Sequence, residues 1–136
     1  MKRLSRCYMQ IPRIFWDRYR NKRVVYKSPY KNLSVNSKWL YITLKEIENG
    51  FTGSKNNEDQ VLWEGVRNSK DWFYHSLESV AEQAGMSVSS VKRSKKELTE
   101  VGLISTCRVF FVDQYGRKNP RWITGFYLHD GMNVDP

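Results

Sequence analysis

The sequence predicts an α+β domain, and three observations carry that prediction. Two short amphipathic helices joined by a glycine turn occupy Ser76 to Ile104, and a longer apolar-rich helix precedes them from Leu33. Two β-favouring runs separated by turn residues close the chain, from Leu103 to Val112 and from Arg121 to Leu128. At 136 residues, 40% of them hydrophobic and 14% aromatic, the chain holds enough apolar material for one packed core, which excludes general disorder.

In chain order, residues 1–32 are a basic and aromatic stretch in which Pro12 and Pro29 interrupt any long helix. Short apolar groups at Ile14, Phe15, Trp16 and at Val24, Val25, Tyr26 read as pieces that dock on a core, as an arm, or as a dimerisation segment. Helix, strand and arm all remain open there. A helix follows, capped by Ser34 or Asn36, running to about Asn49 and stopped by Gly50. Leu40, Leu44 and Ile47 form its stripe and Val35, Trp39 and Ile42 widen it, the pattern of a central, buried helix. Residues 50–70 read as a long loop or small hairpin with one apolar island, Val61-Leu62-Trp63, and Trp72-Phe73-Tyr74 as a brief strand.

Ser76 caps a second helix, with the stripe Leu77, Val80, Ala81, Ala84 and Glu78 favourably placed in its first turn. Gly85 ends it. Ser87 opens a third helix with Val91, Leu98 and Val101 facing inward, and Gly102 closes that one. Asp113 to Pro120 supplies the turn between the two β runs. The organisation expected is therefore an N-terminal segment over 1–32, one domain over 33–130 and a tail over 131–136.

Lys and Arg number 23 against 14 acidic residues, a net charge of +9, which draws a small domain to polyanions. The charge is concentrated where chemistry would use it. Two helices joined at Gly85 make a helix-turn-helix pair, with small Ala81 at their crossing. With Val91, Leu98 and Val101 inward, Ser89, Ser90, Lys92, Arg93 and Lys96 lie on or beside the opposite side of the third helix, and Ser87 at its cap leaves the first turn facing outward. Short hydroxyl side chains let a helix enter a major groove closely, Arg93 suits the paired acceptors of a guanine edge, and Lys92, Lys95 and Lys96 suit phosphates. The ordinary alternative is a solvated basic face. Arg117, Lys118 and Arg121, around the final turn, are placed to lie along a DNA backbone or dip into the minor groove.

Taken together, Ser76 to Leu128 resembles the winged helix-turn-helix superfamily, with a three-helix core, a short strand and a two-stranded wing. Gln10-Ile11-Pro12-Arg13-Ile14-Phe15, Tyr30-Lys31-Asn32-Leu33-Ser34 and Lys38-Trp39-Leu40-Tyr41 are similar to the N-terminal domain of RepA-type plasmid replication initiators. That resemblance covers roughly residues 8–48 and 72–104. It implies double-stranded DNA as partner, repeated sites in a replication origin, a homodimer, and other replication proteins engaged through a further domain. The chain is then expected to be an excised N-terminal domain, or a stand-alone regulator or accessory factor on the same fold. A transcriptional regulator and a winged-helix protein-interaction module without DNA binding are the alternatives.

Enzymatic patterns are scarce, and the expectation is a binding protein without cofactor. His75 and His129 are far apart, His129-Asp130 has no evident third partner, and Gly50, Gly53 and Gly65 do not form a phosphate loop. Cys7 and Cys107 have no ligand set for zinc and read as reduced thiols. Glu58-Asp59 reads as solvated, and Trp72, Phe73 and Tyr74 as core aromatics. No apolar core follows the basic residues 1–7 and no run reaches about 18 apolar residues, so the expected location is the cytoplasm, without membrane contact.

Overall fold

The computed structural model describes residues 13–51 and 61–129; the motif residues 10–12, Cys7, Gly53, Glu58-Asp59, Asp130 and the tail 131–136 lie outside them. The described residues divide into two compact units, 13–32 and 33–129.

The larger unit has an α+β architecture, with three helices and an antiparallel sheet, and is winged-helix-like. Helix α1 spans Val35–Gly50. Ser34 caps it from an extended conformation, its hydroxyl accepting from Ser37 N at 3.1 Å. Leu40, Leu44 and Ile47 are buried as their spacing requires, and Ile42 joins them. Val35 (80% exposed) and Trp39 (45%) do not, so the apolar arc is narrower than expected. Trp39 instead donates its indole N–H to Ala84 O at 2.7 Å, which ties α1 to the end of the next helix. Gly50 is the last residue of α1 without a left-handed backbone, and extended Phe51 makes the stop.

Helix α2 (Leu77–Ala84) is capped by Ser76 and closed by Gly85 in the left-handed conformation, φ 70°. Helix α3 (Val88–Glu100) is capped by Ser87, whose hydroxyl accepts from Ser90 N at 3.1 Å. Its inward stripe is Val91, Ser94 and Leu98, not Val91, Leu98 and Val101. Val101 is the C-cap and is 38% exposed, because the helix ends before its side chain reaches the core. Gly102 (φ 80°) turns the chain, with Leu103 N donating to Leu98 O at 3.0 Å.

The apolar island of the 50–70 segment is strand β3 (Val61–Trp63), and the brief strand before α2 is β4 (Phe73–His75). They flank the long strands β5 (Ile104–Val112) and β6 (Lys118–Leu128) in the order β3-β5-β6-β4. The closing hairpin thus belongs to a four-stranded sheet. β3 pairs with β5 near the turn (Val61↔Phe111, Trp63↔Val109), whereas β4 pairs with β6 nearer its base (Phe73↔Phe126, His75↔Thr124). Ile104, Leu128, Phe126 and Phe73 share one sheet face by register and are buried. On the other face Trp63 lies 5.7 Å from Tyr74 and 6.3 Å from Trp72, ring to ring, and Gly125 is the one position beneath it without a side chain. Of the three aromatics read as core, Phe73 is buried, whereas Trp72 and Tyr74 are half-buried and pack against other rings.

The smaller unit resolves what its sequence left open. A 3-10 turn covers Arg13–Phe15, and Arg18–Arg20 (β1) pairs with Arg23–Tyr26 (β2) in a two-stranded ribbon. Asp17 anchors the following segment, accepting from Ser28 N at 2.7 Å and Lys31 Nζ at 2.8 Å. Both contacts hold its carboxyl below the usual carboxylate range, the lysine more strongly.

Candidate nucleic-acid interface

The sequence of α3 sorts its charges by function. Glu97, one of its two acids, turns toward the start of α1 and accepts from Ser34 N at 3.2 Å and Ser34 Oγ at 3.0 Å. The Ser37 and Ser34 hydroxyls and the Ser34 amide hold its carboxyl below its ordinary range. With that carboxylate engaged, Lys92, Arg93 and Lys96 stand exposed without an acidic partner among the described residues. Ser89 is exposed between the cap and these cations. Ser87 and Ser90 are less free than the sequence implied, because Ser87 Oγ bonds both the amide and the hydroxyl of Ser90, at 3.1 and 3.0 Å. They build the helix start that the other side chains project from.

Lys95 differs from its neighbours. It is half-buried, and loss of solvent, then the charge of Lys92, lower its ammonium pKa. It lines a cavity of about 580 Å³ with Glu64, Trp72, Arg108 and Trp122. A second depression of about 220 Å³ lies between Lys92, Ser76, Leu77 and Glu78 on one side and Trp122 and Ile123 on the other. Trp122 (47% exposed) lines both, so α3 and the hairpin share one corrugated surface with Lys92 and Lys95 reaching into its two hollows.

The hairpin turn is tighter than Asp113 to Pro120. Asp113 organises it: its carboxylate accepts from Tyr115 N at 2.9 Å and Arg117 N at 2.8 Å, and its own amide donates to Arg117 O at 3.0 Å. Gly116 supplies the left-handed residue at φ 76°. β6 already begins at Lys118, and a register shift opposite Phe110/Val112 accommodates Pro120, which has no amide to donate. Arg117 is exposed but paired with Asp113 at 3.2 Å and lies 5.2 Å from the Tyr115 ring. Lys118 Nζ stands 4.2 Å above the Phe110 ring, and Arg121 is exposed on the strand.

The structure adds two residues that the turn-centred reading missed. Arg108 lies 5.8 Å from the Phe110 ring and 5.9 Å from the Trp122 ring, and its guanidinium bonds the Glu64 carboxylate. Arg108 is the single charge within an otherwise apolar and hydroxyl strand, and Trp122 adjoins Arg121; those were the available signals.

The histidines are placed apart. His75 is half-buried, which lowers its pKa, and its Nε2 meets the Gln83 amide at 2.9 Å. His129 meets Ser105 Oγ at 2.7 Å at the exposed sheet end. Burial, helped by Glu64, pushes the Cys107 thiol up to about 11, a poor nucleophile and metal ligand. Among the described residues no group of His, Cys, Asp and Glu could hold a metal ion, and no helix is long and apolar enough to cross a membrane.

No protein-family model and no curated protein matches this sequence. Two solved structures are similar to it. One is described as the N-terminal domain of a DNA binding protein, with a TM-score of 0.59 and 20% identity over 96% of this chain and 81% of that one. The other is a Rep–DNA complex, with a TM-score of 0.60 and 20% identity over 96% of this chain and 82% of that one. The fold is thus one found among DNA-binding domains. In fold the chain is similar to both, in agreement at that level with the likeness read from residues 8–48 and 72–104.

Proposed function

We propose that the chain is a sequence-specific double-stranded DNA-binding protein that acts by binding rather than catalysis, at repeated sites of a plasmid or mobile-element replication origin. The observation that carries this reading is the surface shared by α3 and the β5–β6 hairpin. Ser89, Lys92, Arg93 and Lys96 are exposed on the side of α3 opposite Val91, Ser94 and Leu98, and Lys95, Arg108 and Trp122 continue the surface toward the hairpin. A helix in the major groove with Arg93 toward base edges would leave Lys92 and Lys96 for flanking phosphates. The hairpin would serve as a wing, with Lys118 and Arg121 along the backbone and Arg117 available once it leaves Asp113. Likeness in fold to a Rep–DNA complex supports DNA as the partner.

The same reading has the protein work in the cytoplasm as a two-fold dimer on paired half-sites, which sedimentation at micromolar concentration checks. Its main test is selection from a randomised duplex library beside a salt titration on random duplex. Expected are an enriched motif and an affinity that falls steeply with salt, the logarithmic slope changing by about 0.9 for each neutralised phosphate. The motif should recur in the origin of the element that encodes the protein. Salt-sensitive binding without an enriched motif would reject sequence reading, and no binding at low salt would reject DNA binding altogether.

A further inference from the structure

The β1–β2 ribbon has a composition that its own packing does not explain. Residues 13–32 carry seven cations, Arg13, Arg18, Arg20, Lys22, Arg23, Lys27 and Lys31, against one acid, Asp17. Asp17 is already engaged by Lys31 and the Ser28 amide. In the ribbon register Arg20 stands directly opposite Arg23, and Arg18 lies two residues along the same strand face, its guanidinium 5.1 Å from the Tyr26 ring. Tyr19 pairs with Val24 on the other face. Like charges directly across a strand pair oppose its formation. Neither Arg20 nor Arg23 has an acidic partner among the described residues, and both are exposed. The turn repeats the theme: Asn21 (φ 51°) and Lys22 (φ 66°) are both left-handed, and a lysine holds the place where glycine is favoured. The ribbon thus keeps cations at a tip and on a face where neutral residues would fold more easily.

We propose that this arginine face is a second duplex-DNA contact, seated on sugar-phosphate backbone. The inference rests on the DNA-binding reading above and extends it to a separate element. Guanidinium groups bind phosphate oxygens through paired, charge-assisted hydrogen bonds, and a phosphate between Arg20 and Arg23 would turn their mutual repulsion into attraction. A two-stranded ribbon also fits the width of a DNA major groove. The contact reads no bases; it adds affinity, salt dependence and register.

The test compares the full chain with an Arg20→Gln/Arg23→Gln variant and a Lys92→Gln/Arg93→Gln variant, each titrated with salt on a random duplex. Loss of the ribbon pair, and with it the phosphate held between the two arginines, should make the logarithmic slope shallower by about 1, at about 0.9 per phosphate, and leave the enriched motif unchanged. Arg20→Lys/Arg23→Lys should keep the slope, which separates charge from folding, and thermal melts of all variants should match or exceed the parent. An unchanged slope in the ribbon variant, beside a shallower one in the α3 variant, overturns the ribbon contact and leaves the main reading standing. An unchanged slope with loss of a dimer in sedimentation also overturns it, and makes the ribbon an interface between copies. A parent chain that binds no duplex rejects both.

Discussion

Replacing Gly125 with alanine is the most direct probe of how the hairpin is held. Gly125 lies in β6 opposite Cys107 of β5, and Tyr74 of β4 pairs with it on the other side. An added Cβ would meet Cys107 Sγ at 2.7 Å, Val109 Cγ2 at 2.8 Å and the Trp63 ring at 2.9 Å. Carbon atoms rest about 3.5–4.0 Å apart, so three neighbours must each retreat by most of an ångström. Cys107 and Val109 sit on a strand fixed by pairing to both β3 and β6, so the Trp63 ring is the group that must yield. Overpacking of this kind costs about 1–3 kcal/mol, and with three simultaneous contacts about 2 kcal/mol is expected. At a urea m-value of about 2 kcal/mol/M the midpoint falls by roughly 1 M, read from tryptophan fluorescence. Gly125→Ala combined with Val109→Ala should lose less than the sum of the two single changes, because the second makes room for the first. A Gly125→Ala midpoint equal to the parent's would refute the packing of Trp63 on Gly125.

Arg93→Ala should cost about 1–3 kcal/mol in affinity for the selected site and relax one base preference, whereas Lys118→Ala should weaken selected and random duplexes alike. Filter binding on both duplexes separates them, and Arg93→Ala with affinity and preference intact would displace α3 from the groove. Glu97 has a folded pKa held below its unfolded one, so its contribution is complete above the unfolded value near 4.3 and lost as pH falls through the folded value. The stability difference between the parent and Glu97→Gln should therefore be largest at neutral pH and shrink as pH drops below about 4; parallel pH curves would remove the Glu97–Ser34 contact from the account. In a Cys7→Ser background, Cys107 with its thiol near 11 should alkylate at pH 8.5 on the order of a hundredfold more slowly when folded than in urea. Equal rates would mean that the thiol is not shielded.

Much of the domain was legible because its signals are local. Ser34, Ser76 and Ser87 cap helices with a hydroxyl three residues from the amide that they bind, and Gly85 and Gly102 stand where left-handed backbone is needed. Non-local pairing left no such mark. Val61-Leu62-Trp63 reads as an island in a polar stretch until β5, some 50 residues away, supplies its partner. A buried serine is invisible to an apolar count, so Val101 was given the place on the α3 stripe that Ser94 occupies. Gly50 misled because helix-stopping composition sits one residue before the actual stop, and the 18–26 ribbon was obscured by Lys22 standing where hairpin turns favour glycine. At the candidate interface the basic helix face was readable from periodicity. Arg108 and Trp122 were not, since what joins them to Lys92 and Lys95 is the passage of β5 and β6 alongside α3.

The pairing of β3 with residues 109–111 has a mechanical consequence. A wing that hangs from two strands alone can swing to meet whatever duplex the helix has entered. Here the outer strand is clasped to within two residues of Asp113, and the Asp113–Arg117 turn is itself laced by its carboxylate. On the proposed reading, helix and hairpin would act as the fixed jaws of a caliper: a duplex with a different groove width or curvature would have to bend to fit, and each sequence differs in how readily it bends.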